Sequence, residues 1–197
     1  MQNLLEPIIL KKLVSYMKDG FIKVAAASPV IKVADAGYNA DRISECVKTA
    51  DEKGVKILVF PELSLTGRCC DLIGHKVILE GCSKALEKVA AATEGTDMLI
   101  FVGLPVAVGA RLYSCAAALY NGEILGLIPK EEVGGTPFAV PPVDEAEVNL
   151  AGQLSFLCAD TLFEFAPFRG CSSLRSWARI WTLCSRPRYA TRRPGRR

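Results

Sequence analysis

Two charged residues of this chain follow one local pattern. Glu62 comes after the apolar run from Val55 to Phe60 and Pro61, and Lys130 comes after the run from Glu123 to Ile128 and Pro129. Runs rich in apolar and β-branched residues fit buried strands. Proline has no N–H to give a ladder, so pairing should end there. Each charge is then delivered at the rim of a sheet, where α/β proteins commonly hold their ligands. A carboxylate partly withdrawn from water suits a general base. A fixed ammonium aimed at developing oxyanion charge can lower a barrier by a few kcal/mol. Taken singly, Glu62 also reads as a solvated or helix-opening residue of a β-to-α turn, and Lys130 as a solvated surface charge.

The eight cysteines stand at 46, 69, 70, 82, 115, 158, 171 and 184. Cys46, Cys82 and Cys115 lie in apolar helix or strand patterns and read as inert core thiols. Cys69-Cys70 lacks a metal-ligand spacing and His75 is the single histidine, so no metal site is expected. Cys158, Cys171 and Cys184 lie outside those patterns.

The elements that must position these groups alternate in type. Phe21 to Ala27 reads as a first strand. A helix follows from Asn39, a plausible cap, through Ile43, Val47 and Ala50 to Gly54. Val55 to Phe60 is the second strand. A second helix is expected over 76–93, with Val77, Leu79, Ala85, Leu86, Val89 and Ala90 on its buried side. Met98 to Val102 reads as a third strand, Val106 to Ala110 as a turn and Leu112 to Tyr120 as a fourth strand. Asn121-Gly122 is a type I′ hairpin signal leading into a fifth strand, Glu123 to Ile128. Residues 131–149 read as a long Pro-, Gly- and acid-rich loop, and Leu154 to Leu157 with Thr161 to Phe165 as a further hairpin. Strand-helix-strand order gives an α/β fold, a mixed sheet with parallel neighbours.

Composition is that of a globular chain, half hydrophobic and about a quarter charged. The longest apolar run, Met98 to Ala110, is interrupted by Gly and Pro and falls short of the roughly 18 residues of a membrane span. Glu6, Pro7 and Lys11-Lys12 break any signal-peptide core, so a cytoplasmic protein without a membrane partner is expected. The net charge of +3 conceals an asymmetry: residues 169–197 hold nine Arg and no Lys, Asp or Glu, and the remainder is net acidic.

The ordered set Phe21 to Pro29, Phe60 to Gly67, Val102-Gly103-Leu104-Pro105, Leu112 to Ala117 and Asn121 to Lys130 resembles the nitrilase, or carbon-nitrogen hydrolase, superfamily. Within it the set is most similar to the glutamine-amidase domain of glutamine-dependent NAD+ synthetases. Phe60-Pro61-Glu62-Leu63-Ser64-Leu65-Thr66-Gly67 matches the first catalytic block, and Gly126 to Lys130 the G-x-x-x-K block. The resemblance implies Glu62 as general base and Lys130 as stabiliser of the tetrahedral intermediate. It implies a four-layer αββα sandwich, here incomplete, and glutamine or another small amide as substrate. It implies no cofactor for the amidase and homo-oligomers as partners. ATP would belong to a synthetase domain absent from this chain, and no G-x-x-x-x-G-K-S/T pattern occurs. It also divides the chain into an extension over 1–16, the hydrolase domain over 17–168 and an Arg-rich tail over 169–197.

The pattern breaks where the nucleophile belongs. The resemblance implies a cysteine thiolate that attacks the amide, in an E-I-C-E-D-L-W-type block after another strand; Cys158, Cys171 and Cys184 remain as candidate nucleophiles, and none has those flanks. Ser176-Trp177-Ala178-Arg179-Ile180-Trp181 stands at that distance, and codons for Ala-Arg-Ile-Trp can read Glu-Asp-Leu in the adjacent frame. A frameshift near residue 168 is therefore expected to have produced the tail and left the chain inactive. The second Glu that relatives carry near the nucleophile is unassigned, Glu131 and Glu132 standing in that region. Alternatives are a stand-alone amidase on another small amide, a non-catalytic interaction module, and, ranked last, a nucleic-acid binder through the tail.

Overall fold

The computed structural model describes residues 22–159 and 161. The expectations placed on 1–16, Phe21, Leu162 to Phe165 and the Arg-rich tail, including Cys171 and Cys184, lie outside the described residues.

Ten-residue strands and two helices dominate the described chain. Its elements are β1 (Val24–Ala26), α1 (Ala36–Glu52), β2 (Ile57–Val59), a 3-10 turn (Cys70–Leu72), α2 (Lys76–Ala91), β3 (Leu99–Val108), β4 (Arg111–Tyr120), β5 (Glu123–Pro129), β6 (Ala146–Leu150) and β7 (Gln153–Leu157). The strands form one sheet in the order β1-β2-β3-β4-β5-β7-β6. β1, β2 and β3 run parallel, β3-β4-β5 is an antiparallel meander, and β7 runs parallel to β5. This is the mixed α/β sheet expected from the sequence.

Alternation sorts the strand residues onto two faces. Leu58, Phe60, Ile100, Val102 and Leu104 pack with the buried stripes of both helices, including Ile43 and Val47 of α1 and Leu86 and Val89 of α2. Full burial of each such side chain contributes about 1.5–3 kcal/mol, so this stripe fastens the helices to the sheet. Ile57, Val59, Leu99, Phe101, Ala116, Ala118 and Ile128 form a separate cluster on the opposite face. The described residues thus supply one helical layer and one sheet. Among them, no helix is long and apolar enough to cross a membrane.

Several boundaries differ from expectation. The first helix begins earlier, because Asp35 is its cap and accepts from the Tyr38 N–H at 3.0 Å. Asn39 lies inside the helix, fully buried, and its amide reaches outward. It accepts from Lys32 N–H at 2.7 Å and donates to the carbonyls of Lys32 at 2.7 Å and Leu65 at 2.9 Å. Asn39 is therefore a strut between α1 and the turn that carries Glu62. Asn39→Ala would leave those main-chain groups unpaired, and a loss of about 2–3 kcal/mol is expected in urea unfolding.

Val77 is exposed, since it lies one position off the α2 stripe of Cys82, Ala85, Leu86, Val89 and Ala90. Leu79 is half-buried for the same reason. β3 continues through Gly103 and Pro105 to Val108, so the hairpin turns at Gly109-Ala110 rather than across 106–110. The type I′ turn is present: Asn121 and Gly122 take φ of 47° and 87°. The loop after Lys130 ends at Ala146, where β6 begins. β7 pairs backward with β6 through a second left-handed turn at Ala151-Gly152, with φ of 54° and 73°. Thr161 is in no strand.

Candidate active site

β2 and β5 are not neighbours; β3 and β4 lie between them. Strands spaced about 4.8 Å apart would hold Glu62 and Lys130 some 14 Å from each other. Three local features close that gap.

The first is the turn after β2. Phe60 N–H still donates to Phe101 O, at 2.9 Å, and Pro61 then stops the ladder. The chain folds over β3 through a tight turn in which Leu63 takes φ of 55° and Gly67 N–H donates to Leu63 O at 2.7 Å. It can do so because Gly103 has no side chain. A Cβ there would stand 2.4 Å from Pro61 O, 2.6 Å from Leu63 N and 2.9 Å from Glu62 Cα. Ser64 Oγ clamps the crossing, accepting from Gly103 N–H at 3.1 Å and donating to Gly103 O at 3.3 Å. Leu65 N–H also donates to Gly103 O, at 3.1 Å.

The second feature is register. Gly103 pairs with Ala116, and Ala116 with Ile128, all on the face away from the helices. Two residues further toward the rim, Ser114 of β4 stands opposite Lys130, whose N–H donates to Ser114 O at 2.8 Å. Ser114 and Lys130 therefore share the face over which the Glu62 turn has folded. The third feature is the reach of the lysine stem.

The result is a compact charged cluster. Lys130 Nζ lies 2.9 Å from Glu62 Oε2, and Ser114 Oγ donates to Glu62 Oε1 at 2.9 Å. The two charged side chains are only 11% and 9% exposed. The sequence pattern supplied Glu62 and Lys130; it missed Gly103 and Ser114. No local signal marks them, because a glycine and a small polar residue both fit a buried strand without altering its apolar pattern.

An apolar wall flanks the turn, where Phe138 packs with Leu63, Cys69 and Ile73. Phe138 comes from the long loop after Lys130, which is tied back by Ala139 N–H to Leu112 O at 2.7 Å. Glu131 and Glu132 are both exposed in that loop.

Cys69 is buried in that wall, whereas Cys46, Cys82, Cys115 and Cys158 stand elsewhere. Cys82 and Cys115 are fully buried and unbridged, and desolvation pushes the Cys82 thiol up to about 12 and raises that of Cys115 as well. Burial, and then the Glu45 carboxylate, raise Cys46. None of these three supplies a thiolate at neutral pH. Cys158 closes β7, its N–H donating to Leu127 O at 3.1 Å, on the far side of β5 from Glu62. Among the described residues, no three His, Cys, Asp or Glu side chains gather as a metal-binding group.

Residues 23–134 match the Carbon-nitrogen hydrolase family. A glutamine-dependent NAD(+) synthetase of Xylella fastidiosa is 34% identical over 115 residues, which is 57% of this chain and 21% of that protein. A glutamine-dependent NAD(+) synthetase of Mycobacterium tuberculosis is 30% identical over 119 residues, 59% of this chain and 17% of that protein. The chain thus spans about a fifth of the length of these curated relatives. The fold is shared with the solved glutamine-dependent NAD(+) synthetase of Cytophaga hutchinsonii, at TM-score 0.63 and 21% identity over 69% of this chain and 25% of that one. It is shared also with an amidase from Nesterenkonia sp., at TM-score 0.55 and 19% identity over 71% of this chain and 56% of that one. A sheet rim holding a buried carboxylate-ammonium pair, in a sequence matched to one family over more than half its length, has one consistent reading: the chain belongs to the carbon-nitrogen hydrolase family.

Proposed function

We propose that the described residues carry the base and the lysine of a glutamine-hydrolysing site. Glu62 is the general base and Lys130 the group that stabilises the oxyanion. The observation that carries this reading is the buried Glu62–Lys130 pair held by Ser114. An attacking thiol would give its proton to Glu62 while its sulfur adds to the amide carbonyl. The carbonyl oxygen, now negative, would lie against the Lys130 ammonium. As the intermediate collapses to a thioester, Glu62 would pass that proton to the leaving nitrogen, which departs as ammonia, and water would then free glutamate. The similarity to glutamine-dependent synthetases supports glutamine as the amide and a synthetase as the ammonia consumer.

The missing member is the thiol. A structure of the Nesterenkonia amidase carries acrylamide added at its active site cysteine. The cysteines of this chain lack the E-I-C-E-D-L-W-type flanks. The chain as written is therefore a remnant of such a domain and releases no ammonia from glutamine. Replacing residues 169–197 by the translation of the adjacent reading frame restores release.

A coupled assay of ammonia and glutamate on both chains tests this, with a panel of small aliphatic amides alongside. Release by the restored chain that disappears in Glu62→Gln supports the assignment. Release by the chain as written, lost on blocking a single cysteine, would place the nucleophile among its own thiols. Release from another amide but not from glutamine would mark a stand-alone amidase.

A further inference from the structure

Ser114 is 1% exposed, at the point where β4 passes between the strands bearing Glu62 and Lys130. A hydroxyl buried on a sheet face is costly unless it is bonded. This one is bonded: Oγ donates to Glu62 Oε1 at 2.9 Å, while the main-chain carbonyl of the same residue accepts the Lys130 N–H at 2.8 Å. We propose that Ser114 is the positioning residue of the site, fixing the orientation of the Glu62 carboxylate and the placement of the Lys130 ammonium from a single point on β4. Its catalytic meaning rests on the amide-hydrolysis reading; its positioning role rests on the contacts alone.

Glu62 needs such a partner because it projects from a turn. Its two carboxylate oxygens offer about four lone-pair sites. Ser114 takes one on Oε1 and Lys130 takes one on Oε2. With one oxygen tied to each neighbour, the carboxylate plane cannot rotate without breaking a bond. The remaining sites keep a fixed direction in which to receive a proton. Lys130 is constrained likewise, because register with Ser114 sets its Cα and the held carboxylate sets its head. Without the hydroxyl, the carboxylate turns about its last torsion and the ammonium samples water.

The Lys130 ammonium itself supplies the readout. In the full chain labelled with 15N-lysine, its signal is assigned by its loss in Lys130→Arg, and its hydrogen-exchange rate is measured by NMR. A charge-assisted hydrogen bond is worth roughly a factor of ten or more in an opening equilibrium. Ser114→Ala is expected to speed that exchange about tenfold, and Ser114→Thr, which keeps the hydroxyl, to restore it. Glu62→Gln should speed it as well. A merely space-filling serine would lower the unfolding midpoint and leave the ammonium exchange unchanged. Ser114→Cys, close in volume and a weak donor, is read in the same way if the alanine variant does not fold. Exchange in Ser114→Ala and Ser114→Cys that stays at the wild-type rate overturns the proposal. No amide hydrolysis enters this measurement, so it stands or falls separately from the ammonia assay.

Discussion

Lys130→Met is expected to lower the unfolding free energy by about 3–5 kcal/mol, far more than removal of a surface lysine. The difference lies in where the pair sits. Exposed ion pairs are worth about 0–1 kcal/mol, because water screens both partners before and after the change. Here the two side chains are 11% and 9% exposed. Removing the ammonium strands Glu62 in a dry site with the Ser114 hydroxyl as its remaining donor among the bonds described above. Adding Glu62→Gln to Lys130→Met removes the stranded charge and should recover most of the loss, since Ser114 can still donate to the amide carbonyl. Urea unfolding of the two single variants and the double variant measures this. A single-variant loss below about 1 kcal/mol would mean that water reaches the pair.

Gly103→Ala should be as damaging although it adds only a methyl group. The new Cβ would stand 2.4 Å from Pro61 O, and its three nearest atoms are all backbone. No rotamer change can relieve such a contact, so the Pro61–Gly67 turn must lift from β3 or the strand must bend. Either movement breaks the Ser64 and Leu65 bonds to Gly103. A loss of about 3 kcal/mol or more is expected, with faster amide exchange at Leu65. Gly126→Ala is the control: its Cβ would meet Phe156 O at an ordinary 3.7 Å, and little change should follow. If the two variants unfold alike, the close crossing at Gly103 does not govern the position of Glu62.

These two substitutions mark where the sequence was legible. Glu62 and Lys130 stood out because a strand followed by proline and then a charge is a pattern of neighbouring residues. Their meeting depends on Gly103, 41 residues past one and 27 before the other. Nothing local distinguishes that glycine from one that merely weakens a strand. For the same reason β3 was read too short, since Gly103 and Pro105 look like breakers until a turn and an antiparallel partner are laid against them. Ser114 was invisible as a functional residue because a small polar side chain fits a buried strand without disturbing its pattern. Asn39 suggested a cap by its type, whereas its amide serves two distant main-chain segments. β6 hid in a Pro- and acid-rich stretch because its partner β7 lies on the far side of a turn. Both helices are legible in periodicity, although the first starts at Ala36 and Val77 of the second faces water.

Glu62 and Lys130 stand 68 residues apart in sequence, and their ion pair closes that entire span. Synthesis runs from the N-terminus, so the carboxylate and its turn leave the ribosome before β3, β4 and β5 exist. During that interval Glu62 has no counter-charge, and seating it against the sheet would mean burying a naked anion. The ion pair therefore cannot close until the antiparallel meander has delivered its lysine. A truncation that ends before residue 130 is expected to leave Glu62 without its counter-charge, however well its own strand has formed.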